Sequence, residues 1–470
     1  MIYNNHITYE ELLERKKNKF KATGIQVEQE KLNKHLFPFQ RAIVAWALRK
    51  GKAALFENTG LGKTLQQLSW AEEIHKYTNQ PVLIIAPLAV ASQTVQEAAK
   101  FDIHAKQVFE EDEIFNGINI TNYERVEKFE PSQFSGVVLD ESSILKSFIG
   151  RTSQMMIHRF EQTPYKLCAT ATPSPNDYTE LGTTSEFLGV LRKDEMLAEF
   201  FINDVQGKNK PGEDRGAIGW RLKGHSEAEF YKWIGTWGMF ISHPRDLGFD
   251  DEGYDLPELT INPIVLESEA DVGSLFPVRA STLTERREAR NMSLEERAKK
   301  TLELVETDQE NQWLIWCNYN NESDLLKKII PDSVEISGSD KPEAKVDGFI
   351  GFSTGVVRNL ITKPKIAGFG MNWQNCHQMI FMGISDSFEQ YYQAVRRCYR
   401  FGQTKPVNVY IVLSEKEMNI LDNIKRKQKK HDEMVKNMNE IMHEILIAEI
   451  NNVTVEEKIY APMKKMEFSM

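Results

Sequence analysis

Short apolar runs alternate with helix-like stretches along the first 180 residues of the chain. Residues 81–87 hold five consecutive apolar residues (VLIIA) between two prolines, a pattern typical of a strand buried on both faces of a parallel sheet. A stretch with helical spacing follows at residues 91–100. Further strands are predicted at residues 53–56, 118–124, 136–140 and 166–170. This alternation predicts a doubly wound α/β domain.

The pattern changes twice in the rest of the chain. Between residues 183 and 258 aromatic residues become dense, and we predict a mainly helical insertion whose aromatic side chains form a small core of their own. A second α/β pattern follows and extends to residue 413. Its strands are predicted at residues 312–317, 359–362 and 378–382, with a helix at 322–330.

The tail is predicted to be helical over residues 415–452. Its apolar residues recur at helical spacing, and we expect the resulting stripe to brace the second domain. The stripe consists of Met434, Met438, Ile441, Ile445 and Leu446. The expected order is a helical lead-in (1–34), a first lobe (35–258, with the insertion at 183–258), a second lobe (259–413) and a C-terminal helical extension (414–470).

Composition sets limits on the protein class. With 470 residues, of which 41% are hydrophobic, two or three well-packed domains are expected. No apolar run approaches the roughly 18 residues that a membrane span needs, and residues 1–20 show neither a secretory nor a transit pattern. The four cysteines lack the paired spacing of a zinc site or disulfide framework, which favours the cytoplasm. The net charge of −10 neither supports nor excludes DNA binding, because a basic groove can lie within an acidic protein.

A glycine-bearing loop follows the first predicted strand. Residues 53–64 read AALFENTGLGKT and lead into a helix-like stretch. In this arrangement backbone N–H groups face the phosphates of a nucleotide, the lysine reaches the β and γ phosphates, and the threonine hydroxyl ligates Mg²⁺. The predicted phosphate-binding residues are Thr59, Gly60, Leu61, Gly62, Lys63 and Thr64. Glu57 departs from the usual pattern, which has a glycine there, so a chance Gly-Lys-Thr turn remains the alternative for the loop alone.

Gln40 precedes this loop by about twenty residues and follows an aromatic-proline pair. At that place its amide could hydrogen-bond the edge of an adenine. An ordinary surface glutamine is the alternative.

Two further strand ends carry polar side chains that suit phosphate chemistry. Asp140 and Glu141 end the strand at residues 136–140, at the sheet edge where such folds bind ligands. Asp140 is suited to hold Mg²⁺, and Glu141 is suited to deprotonate an attacking water. Thr170 and Thr172 follow the next strand, where their hydroxyls could link a γ-phosphate site to a neighbouring domain.

A row of basic residues lies near the end of the second α/β region. On one continuous helix Gln393, Arg396, Arg397 and Arg400 would fall at i, i+3, i+4 and i+7 and share a face. Such a row can supply an arginine finger to a phosphate held by another domain. A basic face that contacts solvent or nucleic acid is the alternative.

The ordered set of motifs resembles the superfamily-two helicase-like ATPases, and most of all the Swi/Snf-related branch of double-stranded DNA translocases. The resemblance covers residues 36–413. Its motifs are LFPFQ, ENTGLGKT, APLAVASQTVQE, ITNYE, LDESSILKS, CATATPSP, IAGFGMNW and QAVRRCYRFGQ. The chain departs from this family at His243 and Pro244, where paired basic residues are usual. It also departs at Ser142 and Ser143, which stand in place of Ala and His.

The resemblance implies two RecA-like lobes in tandem, with ATP and Mg²⁺ in the cleft between them. Lys63, Glu141, Gln393, Arg397 and Arg400 would be catalytic, and Thr64 and Asp140 would hold the metal. Gln40 would select adenine, and Gly370 and Asn372 would sense closure of the cleft. DNA would lie against residues of both lobes, namely Pro87, Leu88, Thr121, Asn122, Tyr123, Thr362 and Lys363.

The activity implied is ATP-driven movement along DNA, with duplex DNA favoured, in repair, recombination, replication or protein–DNA remodelling. A monomeric, compact bacterial or bacteriophage motor is expected, and the partner that would recruit it is unknown. Two alternatives remain open at this point. One is an RNA helicase with the same catalytic core, and the other is an ATP-dependent clamp that binds nucleic acid without turnover.

Overall fold

The computed structural model describes residues 21–146, 150–174, 177–203, 219–268, 282–367 and 371–450. Most of the predicted lead-in helix and Gly370 lie outside these residues, as does the end of the predicted tail helix. Within them we find no helix with the length and hydrophobicity that a bilayer span requires.

The first half of the chain forms a seven-stranded sheet in which every strand pair is parallel, in the order β3-β4-β2-β5-β6-β1-β9. A separate antiparallel pair, β7 and β8, lies outside it. The strands are β1 (Lys52–Glu57), β2 (Val82–Ala86), β3 (Ala105–Gln107), β4 (Ile118–Asn122), β5 (Gly136–Asp140), β6 (Tyr165–Thr170), β7 (Phe201–Asn203), β8 (Trp220–Leu222) and β9 (Gly238–Ile241).

Helices connect these strands and cover the sheet. They are α1 (Pro38–Lys50), α2 (Lys63–Thr78), α3 (Leu88–Lys100), α4 (Arg151–Arg159), α5 (Leu181–Leu188), α6 (Lys193–Phe200) and α7 (Glu227–Gly235). All five residues of β2 are buried, because its continuous apolar run packs between helices on both faces. We call this sheet and its helices the first lobe.

The second half forms a six-stranded parallel sheet in the order β10-β15-β14-β11-β13-β12. We call this sheet and its helices the second lobe. Its strands are β10 (Leu259–Leu266), β11 (Trp313–Trp316), β12 (Ser333–Glu335), β13 (Asn359–Thr362), β14 (Gln378–Phe381) and β15 (Val407–Ser414). Its helices are α8 (Leu283–Met292), α9 (Leu294–Thr307), α10 (Asn320–Ile329), α11 (Pro342–Ser353), α12 (Pro364–Ala367) and α13 (Phe388–Val395). Two parallel α/β sheets confirm the predicted fold class.

The aromatic region at residues 183–258 contains helices, as predicted, and also strands that the prediction did not include. Strand β9 adds to the edge of the first sheet by pairing with β1. The aromatic side chains are core residues, but they join the main core of the first lobe instead of a separate one. Phe56 of β1, for example, packs against Phe240 of β9 with ring centroids 4.6 Å apart.

A single 33-residue helix, α14 (Met418–Ile450), ends the described chain. Its first turns pack into the core of the second lobe through Ile420, Leu421 and Ile424. The apolar stripe further along packs into the core of the first lobe. Of the predicted stripe, Met434, Met438 and Leu446 are buried there, and they are joined by Met442 and Ile450. The prediction that the stripe braces the second domain is therefore wrong, because a straight helix of this length extends about 50 Å and reaches the other lobe.

Candidate ATP-hydrolysis site

The glycine-bearing loop joins β1 to the N-terminus of α2, as the sequence predicted. Gly60 and Gly62 have φ angles of +94° and +82°, a region that L-residues rarely adopt. A Cβ atom on Gly60 would lie 3.0 Å from the backbone nitrogen of Phe401, which belongs to the second lobe. The loop therefore needs glycine both for its turn and for the close approach of the other lobe.

Lys63 is the first residue of α2, and its side chain turns back into the loop. Its Nζ donates to the carbonyl oxygens of Glu57, at 2.9 Å, and Asn58, at 3.2 Å. Burial lowers the pKa of Lys63, and the nearby Glu141 carboxylate opposes that shift. The ammonium group is thus held beside the helix N-terminus, where an anion would be attracted.

Gln40 lies on α1 and fastens the loop from one side. Its Oε1 accepts from the Phe37 backbone N–H at 2.9 Å, and its Nε2 donates to the Leu61 carbonyl at 2.8 Å. A Cβ on Gly62 would collide with this amide. The structure therefore places Gln40 against the loop, and its contact with adenine remains a prediction.

Glu57, which the sequence marked only as a departure from the loop pattern, is fully buried at the end of β1. Its Oε2 accepts from Gln66 Nε2 at 2.9 Å, whereas its Oε1 has no partner. Burial raises the pKa of Glu57 to about 7, although Lys63 opposes the shift. Gln66 also donates to Leu61 O at 3.1 Å, so Gln66 and Gln40 bind the same carbonyl of the loop.

The acid pair stands at the end of β5, as predicted. Asp140 Oδ1 accepts from Gln67 Nε2 at 2.8 Å, and the Asp140 carbonyl accepts from the hydroxyl of Tyr123 at 2.7 Å. Glu141 has a left-handed φ of +51°, which costs a non-glycine residue about 1 kcal/mol or more. Burial raises the pKa of both carboxyls, that of Glu141 to about 7 with Asp140 adding to the shift.

The two predicted threonines follow β6 beside the acid pair. Thr170 Oγ1 donates to Glu141 Oε2 at 3.4 Å and accepts from the Thr172 backbone N–H at 3.1 Å. The Thr172 hydroxyl is buried without a partner. Thr170 thus joins the Glu141 carboxylate to the loop after β6.

Helix α13 of the second lobe brings three side chains to three segments of the first lobe. Gln393 Nε2 donates to Glu141 Oε2 at 3.4 Å, and its catalytic role remains a prediction. Tyr392 donates its hydroxyl proton to Asn58 Oδ1 at 2.6 Å. Glu389 accepts hydrogen bonds from Ser143 and Lys146 of the first lobe. The contacts of Tyr392 and Glu389 were not predicted from the sequence, although the i, i+3, i+4 spacing of Glu389, Tyr392 and Gln393 was a usable signal.

The predicted continuous helix through Arg400 is wrong, because α13 ends at Val395. Beyond that residue the chain tightens into a turn, in which Arg397 N–H bonds to Ala394 O, three residues back, at 3.2 Å. In a continuous helix the Arg397 carbonyl would accept from the N–H four residues later. Here it accepts from the Trp373 backbone N–H at 2.9 Å. A tertiary hydrogen bond therefore takes the place of the helical one.

Arg397 and Arg400 still converge after this turn. Arg397 donates to Gln393 O at 2.9 Å, to Met371 O at 3.0 Å and to Gln393 Oε1 at 3.0 Å. Arg400 donates to Met371 O at 3.4 Å and to Asn372 Oδ1. Burial lowers the pKa of both groups, that of Arg397 to about 10 with Arg400 adding to the shift. Asn372 therefore lies beside the arginines, while its predicted partner Gly370 lies outside the described residues.

A cavity of about 220 Å³ opens next to the glycine-bearing loop. Both lobes line it, the first through Thr59 and Tyr254 and the second through Arg396 and Phe401. The ring of Tyr254 packs on that of Phe401 with centroids 4.7 Å apart. The buried Thr59 hydroxyl lacks a partner, so a polar group is available at this wall.

The residues predicted to contact nucleic acid differ in exposure. Leu88 is 61% exposed, and Pro87 and Lys363 are half-buried. The other four side chains are buried: Thr121, Asn122, Tyr123 and Thr362. Thr362 donates its hydroxyl proton to Ile336 O at 2.9 Å, so its side chain forms a hydrogen bond within the second lobe.

Comparison with known proteins agrees with this arrangement. Residues 39–206 match the SNF2-related domain, and residues 296–402 match the helicase conserved C-terminal domain. The ISWI chromatin-remodeling complex ATPases CHR11 and CHR17 of Arabidopsis thaliana are each 27% identical over 201 residues, or 37% of this chain. That stretch spans only 19% and 18% of their respective lengths.

Among solved structures, the chain is similar to the Sulfolobus solfataricus SWI2/SNF2 ATPase core in complex with dsDNA. The identity is 18% and the TM-score 0.41, over 91% of this chain and 99% of that one. The two domain matches include the loop, the acid pair and the converging arginines, each in its expected order. The chain therefore has the domain pair of the SNF2-related ATPases, an SNF2-related domain followed by a helicase conserved C-terminal domain.

Proposed function

We propose that this ATPase is a motor that moves along DNA, with duplex DNA as its track. The observation that carries the proposal is that α13 of the second lobe reaches both Asn58 of the glycine-bearing loop and Glu141 of the acid pair. ATP in this cleft would contact both lobes, so its hydrolysis would change the contacts between them. The Arabidopsis relatives are named as chromatin-remodeling ATPases, which is in keeping with a DNA track.

The side chains around the cleft would have separate roles in ATP binding and hydrolysis. Lys63 and the loop N–H groups would bind the phosphates, and Gln40 would select the base. Glu141 would orient the attacking water and accept its proton, since its pKa of about 7 suits a general base. Arg397 and Arg400, with Gln393, would stabilise the charge that develops on the transferred phosphoryl group.

Mg²⁺ fits the oxygen atoms that the first lobe offers. Asp140 is a half-buried carboxyl whose pKa is raised by desolvation, so a cation beside it would stabilise its ionised form. Thr64, in the first turn of α2, adds a hydroxyl, and such oxygen ligands suit Mg²⁺. Mg²⁺ would neutralise phosphate charge when bound. We propose Asp140 and Thr64 as its protein ligands.

DNA would lie across the two lobes, which we propose as units at residues 35–258 and 259–413. Leu88, Pro87 and Lys363 are the predicted contact residues that reach the surface. The buried Thr121, Asn122 and Tyr123 would act indirectly, because Tyr123 already donates to the Asp140 carbonyl. A shift of the end of β4 on DNA binding would thus be transmitted to the acid pair through the hydrogen bond of Tyr123.

The test is steady-state ATP hydrolysis by the full chain without nucleic acid and with duplex DNA, single-stranded DNA or RNA. Lys63→Ala and Arg400→Ala are the loss-of-function variants. We expect duplex DNA to stimulate hydrolysis most, and both variants to abolish it. A triplex-displacement assay on duplex DNA would then measure movement. Stimulation by RNA alone would indicate an RNA helicase, and turnover without triplex displacement would contradict the motor.

A further inference from the structure

Glu389 on α13 makes an ion pair across the cleft that the ATPase chemistry above does not use. Its Oε1 accepts from the Ser143 hydroxyl, and its Oε2 pairs with Lys146 Nζ. The Glu389 side chain is only 10% exposed, and that of Lys146 is 35% exposed. A carboxylate so far removed from water depends on its partners, because loss of either leaves a poorly solvated charge.

The position of this contact relates it to hydrolysis. Ser143 and Lys146 lie in the helical turn Ser142–Lys146, which begins directly after Glu141. On the other side, Glu389 lies one helical turn before Gln393, and Gln393 donates to Glu141 Oε2. The ion pair therefore fastens two short segments at the points from which Glu141 and Gln393 extend toward each other.

We propose that Glu389 is a positioning residue for ATP hydrolysis. By pairing with Ser143 and Lys146, it holds α13 in the register that brings Gln393 to Glu141 and sets the path of the chain toward Arg397 and Arg400. This inference rests on the proposed function, in which hydrolysis takes place in this cleft. It also gives Ser143, where the chain departs from its family's pattern, a part in joining the lobes.

The kinetic consequence follows from where the contact is made. ATP capture relies on the loop of the first lobe, which Glu389 does not touch, whereas the closed arrangement needs both lobes. An interaction present only in the closed, reacting form raises kcat and leaves the KM for ATP nearly unchanged. Charge-assisted hydrogen bonds of this kind correspond to roughly a ten- to hundredfold change in rate.

The experiment measures kcat and KM for ATP at saturating duplex DNA with the full chain. The variants are Glu389→Gln, Lys146→Met, the single charge reversals Glu389→Lys and Lys146→Glu, and their double combination. The control is Glu303→Gln, which breaks the exposed ion pair between Lys300 and Glu303 on α9. Thermal melting by circular dichroism confirms that each variant is folded.

We expect Glu389→Gln and Lys146→Met to lower kcat at least about tenfold, with KM within about threefold of the wild type. The double reversal should recover at least about threefold over either single reversal, and Glu303→Gln should match the wild type. A kcat within about twofold in both neutral variants, or no recovery in the double, would overturn the inference. If Glu389→Gln does not fold, Lys146→Met decides, because Lys146 is partly exposed. A wild type without turnover would instead overturn the proposed function itself.

Discussion

Glu141 shows how one residue combines strain, burial and chemistry. Its backbone lies in the left-handed region although it is not a glycine, and its carboxylate faces Thr170 and Gln393, each at 3.4 Å. Such strain persists only where the surroundings hold it, here through the turn after β5 and the side chains on either side. Burial and the adjacent Asp140 raise the pKa of Glu141 to about 7, so the group titrates near neutral pH.

We predict that kcat rises with pH through about 7, because Glu141 can accept a proton from water only in its ionised form. For a single group with this pKa the increase from pH 6 to pH 8 is roughly tenfold. Steady-state hydrolysis at saturating ATP and DNA measures it. Glu141→Gln should lower kcat at least about a hundredfold and retain ATP binding, whereas Glu124→Gln, at an exposed position, should leave both unchanged. A flat pH profile in the wild type would contradict the assignment of Glu141 as the base.

At the level of elements, the end of α13 separates the roles of two arginines that the sequence had placed on one helical face. Arg397 is 4% exposed, and its Nε, Nη1 and Nη2 atoms each donate a hydrogen bond. Arg400 is less enclosed and contacts Met371 and Asn372. Arg397 therefore stabilises the turn. Arg400 is the freer of the two to contact a phosphate.

We predict that Arg397→Lys and Arg400→Lys differ in stability although both reduce turnover. Lysine cannot reproduce the planar fork of Arg397, so Arg397→Lys should destabilise the protein by about 1–3 kcal/mol and lower kcat. Arg400→Lys should lower kcat with the melting temperature nearly unchanged. Thermal melting and steady-state kinetics on the pair test this, and equal destabilisation by both changes would refute the distinction.

At the level of the whole molecule, α14 connects the two hydrophobic cores. Ile420, Leu421 and Ile424 belong to the core of the second lobe, whereas Met434, Met438 and Met442 belong to that of the first. Between these sets, His431 packs on Tyr392 with ring centroids 5.4 Å apart, and Tyr392 in turn reaches the glycine-bearing loop. Any change in the distance between the lobes must therefore bend α14 or move it against one of its two cores.

We predict that Met438→Ala, although it lies in the C-terminal helix, destabilises the first lobe. Met438 is fully buried there, and the cavity created should cost about 2–4 kcal/mol. Hydrogen exchange followed by mass spectrometry should show faster exchange in β9 and α7, which α14 contacts. Met438→Leu is the control, because it preserves volume. Faster exchange confined to β14 and β15 would instead support bracing of the second lobe.

Local sequence patterns were enough to predict much of the fold. The predicted strand at residues 359–362 coincides with β13, and the VLIIA run is β2, because a short apolar run between turn residues has few other ways to bury itself in a parallel sheet. The loop before Lys63 was predictable for a similar reason, since its glycines are needed at positive φ. In these segments the neighbouring residues in sequence decide the conformation.

Long-range contacts decided the rest. The end of α13 depends on the bond between Trp373 N–H and Arg397 O, and the docking of α14 depends on which core lies within its reach. The roles of Glu389 and Tyr392 arise from partners more than 240 residues away in sequence. The sequence by itself thus determined the fold class, the order of the motifs and the ATPase family. Only the tertiary structure decided which side chains meet across the cleft, because closing two lobes selects pairs that no local periodicity encodes.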